Sequence, residues 1–439
     1  MKHSIRKILS LLALCLPVMA QGEETVTYSK DIAPILFSKC ANCHRPGEAA
    51  PFSLLTYEDA ASRARMLRSV TQARVMPPWK AAEGSFAYAN NRSLSQREID
   101  LLAKWAADGA PLGDPAEIPE TPKFPADWQL GVPDLIVEMP EAFPVPADGA
   151  DIYRSFAIPL NLSDDIYVSA IELRPSARPV VHHVVYYADS TGAARRADEA
   201  EEGPGFSNMR NSGQMQMLGE WAVGTQPAPY QDGIALRIAR GTDLVLQGHY
   251  VPNGTEQSEK MRVGIYLAKQ RSERTLLSQM LPPLFGQFAG INIPAGEKNF
   301  EIRSQFTLPV DSELISVMGH AHYIGKSMLL TATLPDGKVL TLLDIPQWDF
   351  SWQDRYLFSA PVKLPQGTRI DSRISWDNSA DNPHNPNNPP INVRWGENSA
   401  DEMGTLLYEL YASNENETNT LQQAIRLHIF QSLMAAGGR

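Results

Sequence analysis

The sequence predicts a multidomain chain, a small all-α domain followed by two antiparallel β-sandwich (jelly-roll-like) domains. Three observations carry that expectation. Residues 21–112 show helical apolar spacing with cap signals, residues 113–127 are rich in Pro, Asp and Glu, and short apolar or alternating runs separated by turns fill the region from 128 onward. A chain of 439 residues also exceeds what one hydrophobic core usually serves.

The first element is an export signal over 1–20. Lys2, Arg6 and Lys7 precede a short apolar stretch and the small-residue pattern "VMA", which predicts cleavage after Ala20 and a periplasmic or secreted protein. Leu14 before Cys15 is a poor fit to a lipidation site. No later window holds the roughly 20 apolar residues of a membrane-spanning helix. The net charge of -11 has no long like-charge blocks, which argues against nucleic acid or anionic lipid as a partner.

Within 21–112, "YSKDIAPILFSKCANC", "TYEDAASRARMLRSVTQA" and "SQREIDLLAKWAADGA" read as helices, with a Thr56/Asp59 cap, a Ser95/Glu98 capping box and a Gly109 stop. Residues 113–127 read as an extended Pro-rich linker. The runs "IYVSAIEL", "TDLVLQGHYV", "MRVGIYLA", "ELISVMG", "SMLLTATL" and "RIDSRISW" read as strands, with turns such as "LPDGK" and "LPQGT". "FAIPL" and "FTLPV" each precede a strand with a histidine pair, a faint echo that suggests two related β-domains over 128–272 and 273–413. Residues 414–439 are expected to form a helical tail.

Cysteine use points to a cofactor. After the signal only Cys40 and Cys43 remain, too few for a disulfide framework. They stand in "CANCH", the C-x-x-C-H signature of covalent haem c, with two thiols for the vinyl groups and His44 for the iron. A redox-active or structural cysteine pair is the alternative. Met76 in "VMPPWK" is the expected sixth ligand; Met66 competes but reads as a core position of its helix. Over about 90 residues this part resembles a class I cytochrome c.

Of the nine histidines, five fall in three short β-type motifs: His182 and His183 in "PVVHHVVYYAD", His249 in "LQGHYVPNG", and His320 with His322 in "SVMGHAHYIGK". His-x-His puts two imidazoles on one strand face, ready for one ion. Any single motif could also be a set of polar residues at a domain seam. His384, in an Asn/Pro-rich loop, reads as solvated, and His428, on the tail, as structural.

The motif order, closed by "DEMGTLLYELY", resembles the copper type II, ascorbate-dependent monooxygenase family (peptidylglycine α-hydroxylating and dopamine β-monooxygenase-like). The resemblance spans about 285 residues. It implies two coppers, an electron-storing one on His182, His183 and His249, and a second, where dioxygen and substrate react, on His320, His322 and Met403. The thioether of Met403 favours Cu(I). Met318, Thr405 and Leu407 stand where peptide-hydroxylating members hold a substrate carboxylate, so a less polar small-molecule substrate is expected.

These readings together describe an exported haem- and copper-dependent monooxygenase, with dioxygen and an external electron donor (ascorbate or a redox protein) as partners. In that picture the haem reduces the first copper. A copper-binding electron-transfer protein without oxygenase activity and a carbohydrate- or protein-binding sandwich are the alternatives. Joint ligation by His182 and His183 demands a bulged or turned strand. The trio with His249 is expected to stay apart from His320 and His322.

Overall fold

The computed structural model describes residues 25–48, 50–125, 127–207, 215–230, 233–269 and 274–437. The expected export signal at 1–20 lies outside the described residues, and no described helix is long and apolar enough to cross a membrane. Among the described residues the chain is mainly β, with six sheets.

The first β-unit faces two sheets across one core. One holds Leu135–Glu138, Arg262–Leu267, Ile166–Arg174, Ile234–Ile238 and Arg274–Thr275, and the other holds Ile152–Pro159, Asp243–Tyr250, Val181–Asp189 and Gln216–Ala222. Alternate residues such as Val168, Val184, Leu236, Leu246 and Ile265 fill the space between them. The chain then crosses over: Arg274–Thr275 still pairs with the first unit, whereas Leu277–Leu281 pairs with Gly404–Ala412 in the second.

In the second unit the sheet of Leu277–Leu281, Gly404–Ala412, Ser312–Ala321 and Arg355–Leu364 faces that of Phe300–Thr307, Arg369–Trp376, Gly325–Thr333 and Val339–Ile345. Strand Ser312–Ala321 is buried along its whole length. One face serves its own core through Leu314 and Val317, and Ile315 belongs with Tyr411 to the core of the first unit. The two units therefore meet along an apolar seam.

The expected architecture, with a separate all-α domain ahead of two sandwiches, is corrected here. Helices Ala33–Lys39, Tyr57–Ala61, Ala64–Gln72 and Gln96–Ala107 do pack around Leu36, Ile99 and Trp105. They do not make a self-contained domain, because the chain between the last two leaves them and enters the second β-unit. Ala81 and Tyr88 are part of that unit's core. The Tyr88 hydroxyl donates to Leu342 O at 2.6 Å, its ring stacks on Phe358 at 5.5 Å, and Trp79 meets Tyr356 edge-on at 5.0 Å. Trp79, Phe86 and Tyr88 all pack on the β-unit's core, and aromatic rings of this size dominate core energetics. Truncating an aromatic ring in such a core costs about 3–5 kcal/mol. Tyr88→Ala is therefore expected to lower stability to urea by that order and to open the 76–92 segment to protease. Unchanged proteolysis would show that this docking is dispensable.

Two local readings also change. The helix expected over 56–73 is broken at Ser62 and Arg63. Met66, expected in the core, is 50% exposed.

Candidate metal centre

Strand Val181–Asp189 opens on the two adjacent histidines. Its ladder pairs Val181 with Tyr250 and His183 with His249, which leaves His182 as an extra residue. Such a bulge turns neighbouring side chains toward one side. Nδ1 of His183 lies 3.1 Å from Nδ1 of His182 and 3.4 Å from Nδ1 of His249, and one ligand atom from each of the three falls within 4.8 Å of the others. Imidazole nitrogens held about 2.0–2.1 Å from a tetrahedral ion stand about 3.3–3.4 Å apart. The trio thus has the spacing of a ligand sphere. Protonation does not account for it, since burial pulls His182 down to about 3 and His183 well below its ordinary value. Neutral imidazoles are the form that binds metal.

His320 closes the buried strand Ser312–Ala321, and His322 follows it on the same side. Each has its Nδ1 occupied. His320 Nδ1 donates to Gln353 Oε1 at 2.7 Å, and His322 Nδ1 to Asp401 O at 3.1 Å, so Nε2 of both is left as the donor to an ion. Their rings meet edge-on at 5.3 Å. Burial pulls His320 down to about 4 and His322 well below the usual range. Met403 lies just past the end of the neighbouring ladder. The ladder pairs His320 with Thr405 and Ala321 with Gly404, and Met403 immediately precedes Gly404 in the chain. A side chain at position 404 would run into Trp376, so glycine there lets the indole close over the sheet end.

The expectation that the two histidine sets stay apart is corrected. The rings of His183 and His320 are 6.0 Å apart at 82°, because the seam brings the two strand ends together. All five imidazoles form one cluster.

Several residues that the sequence reading missed shape it. The 346–354 loop, between strands Val339–Ile345 and Arg355–Leu364, supplies three of them. Phe350 stacks on His182 at 4.5 Å and lies 6.0 Å from His322; Trp348 Nε1 donates to His322 O at 3.1 Å; Gln353 fixes His320. Asp151 Oδ2 accepts from His249 Nε2 at 3.0 Å, and Ser399 of the second unit donates to the same oxygen at 2.6 Å. Phe285, at φ 53°, sets its ring edge-on to His320 at 5.3 Å. A non-glycine residue in that region marks backbone held against strain at a site. A loop such as "PQWDFSWQD" has no spacing that announces these roles.

At the "CANCH" motif, His44 Nδ1 donates to Phe52 O at 3.2 Å and the ring packs on Phe52 at 4.6 Å, which leaves Nε2 for an iron. Cys40 and Cys43 are unpaired. Burial pushes the Cys40 thiol up to about 12 and raises Cys43, whereas a redox-active pair needs a lowered value. Met76 follows the end of helix Ala64–Gln72, its amide bonded to Val70 O at 3.2 Å. His384 is exposed, and His428 packs on Phe306 at 5.5 Å.

Two ion pairs tie this segment to both histidine sets. Glu48 binds Arg178, just upstream of His182, and Arg92 binds Asp354, the neighbour of Gln353, at 2.5 Å. Between them lies a cavity of about 350 Å3, lined by Cys43, Arg92, Glu220, Trp221, Asp354 and Arg355 among others. Glu220 faces it. Burial, with a smaller contribution from Asp354, raises its carboxyl from 4.5 to about 8. The folded chain then keeps a proton that the unfolded chain releases, so this group's contribution to stability is full below pH 4.5 and is lost as pH rises to about 8. Glu220→Gln is therefore expected to gain stability over the native chain progressively between those values in urea titrations. A difference independent of pH would contradict this.

No family model matches the chain, and no curated protein matches it. Among solved structures it is similar to PNGF-II (10% identity, TM-score 0.27), covering 64% of this chain and 65% of that one. The major capsid protein P2 of bacteriophage PM2 gives 8% identity and a TM-score of 0.26 over 63% of this chain and 97% of that one. A Paenibacillus xanthan lyase gives 11% and 0.18 over 70% and 29%. These likenesses are too low to carry a statement about fold or function.

Proposed function

We propose that this chain is an exported copper-dependent monooxygenase that hydroxylates a C–H bond of a small, weakly polar substrate with dioxygen, its electrons relayed by a haem joined to Cys40 and Cys43. The observation that carries the reading is the convergence of His182, His183 and His249 at ligand spacing, with His320 and His322 brought beside them from the other β-unit. Imidazole sets joined by a thioether suit copper better than zinc. Bound copper would supply one-electron redox chemistry and activation of dioxygen.

The chain's own residues would orient and shield. Gln353 and the Asp401 carbonyl fix the tautomers of His320 and His322, while Phe350 and Phe285 cover the imidazoles against water. Met318, Thr405 and Leu407 are buried, and Thr405 Oγ1 is spent on Pro282 O at 2.8 Å. None of the three can receive a substrate carboxylate, which supports a less polar substrate. Cys43 and the two ion pairs set the haem-bearing segment against the seam that holds the imidazoles.

The test is to load the full chain with copper and reductant and follow oxygen uptake against extracts of a deletion strain. A metabolite one oxygen atom heavier is expected. Copper that loads and cycles without any such product would favour the electron-transfer reading, and failure to load copper would favour a binding sandwich.

A further inference from the structure

We infer that Asp151, held by Ser399 from the second β-unit, is a positioning residue that biases the His182/His183/His249 site toward the more highly charged ion. The inference rests on the copper reading above and adds an outer residue to it.

Asp151 immediately precedes strand Ile152–Pro159, whose ladder sets Tyr153 opposite His249. Its Oδ2 lies 3.0 Å from His249 Nε2. A carboxylate only accepts, so Nε2 carries its proton toward Asp151, which leaves Nδ1 as the ring atom able to hold an ion. Nδ1 is the atom that faces His183 Nδ1 at 3.4 Å. Three contacts stop the arrangement from relaxing. Ser399 Oγ donates to Asp151 Oδ2 at 2.6 Å, Tyr153 stacks on the His249 ring at 4.3 Å and 8°, and the Tyr153 hydroxyl lies 3.4 Å from Ser399 Oγ.

The second set is built differently. Its outer partners are the neutral amide of Gln353 and the backbone carbonyl of Asp401. An anionic partner on the far nitrogen makes an imidazole a stronger donor, which stabilises Cu(II) over Cu(I); a neutral amide or carbonyl does so less. One cluster therefore contains a site with an outer carboxylate and, 6.0 Å away ring to ring, a site without one. The same 399–403 segment supplies Ser399 to Asp151 and the Asp401 carbonyl to His322, so one short loop sets both environments.

The test uses the full chain and copper itself. Asp151→Asn keeps an oxygen for His249 Nε2 and removes only the charge. It is expected to weaken Cu(II) binding at the first site about 10–100-fold in chelator competition while changing Cu(I) binding much less. That ratio corresponds to a midpoint potential about 59–118 mV higher. Asp151→Glu should restore most of the loss, and Ser399→Ala should shift the potential the same way by less. Equal losses for Cu(I) and Cu(II), or no loss of either, would overturn the inference and leave the copper reading intact. A native chain that takes up no copper at the trio would overturn both.

Discussion

Substituting His183 by alanine is expected to remove one of two bound coppers and to abolish oxygen incorporation. Its Nδ1 is the shared neighbour of His182 and His249, so its loss leaves two ligands that no longer converge through a common partner. The effect should exceed the roughly 10–100-fold loss of affinity that follows removal of an outer partner. The ring also stands nearest the other set, 6.0 Å from His320, so transfer between the sites should fail even if a second ion remains. His384→Ala, at an exposed loop position, is the matched control and should change neither copper content nor product. Metal analysis and product mass on the two variants check this. Full copper and product in the His183 variant would remove the trio from the function.

The second large effect concerns electron supply. Replacing Cys40 and Cys43 together by alanine should leave no haem that survives denaturation, while copper still loads. On the proposed reading each turnover would need two electrons, and a relay would pass them singly. In anaerobic rapid mixing, reduced haem in the native chain should reoxidise as copper is reduced. The double variant should lose reduction by a protein donor, whereas ascorbate, which is small, should still reduce its copper. If reduced haem in the native chain persisted beside Cu(II), the relay would fall and the copper chemistry would need another donor.

Much of the secondary structure was readable because its signals are local. "IYVSAIEL" and "RIDSRISW" lie within strands Ile166–Arg174 and Arg369–Trp376, and the Ser95/Glu98 box caps helix Gln96–Ala107 in both directions. The bulge at His182 was legible once both histidines were taken as ligands of one ion, since adjacent residues on a straight strand cannot share one. The fold class was not. Tyr88 sits in a stretch that reads as a loop between helices, and only the partner surface of Tyr356 and Phe358, far away in sequence, gives its ring a place. Met66 misled because apolar spacing identifies a helix face without saying what covers it. The distance between the histidine sets depends on how the two units meet, and so do the outer partners Asp151, Gln353 and Ser399. None of these has a motif, because each matters through what it touches.

If the chain carries haem as proposed, the seam between the helical segment and the β-units would also impose an order on manufacture. Cys43 opens into a cavity roofed by Glu220 and Trp221 from one unit and by Asp354 and Arg355 from the other, and the Glu48–Arg178 and Arg92–Asp354 pairs fasten it. A ligase delivering a bulky porphyrin would need that roof absent, so attachment would come while the β-units are still undocked. Attachment would thus precede closure, and a chain that folds first would be sealed against the porphyrin.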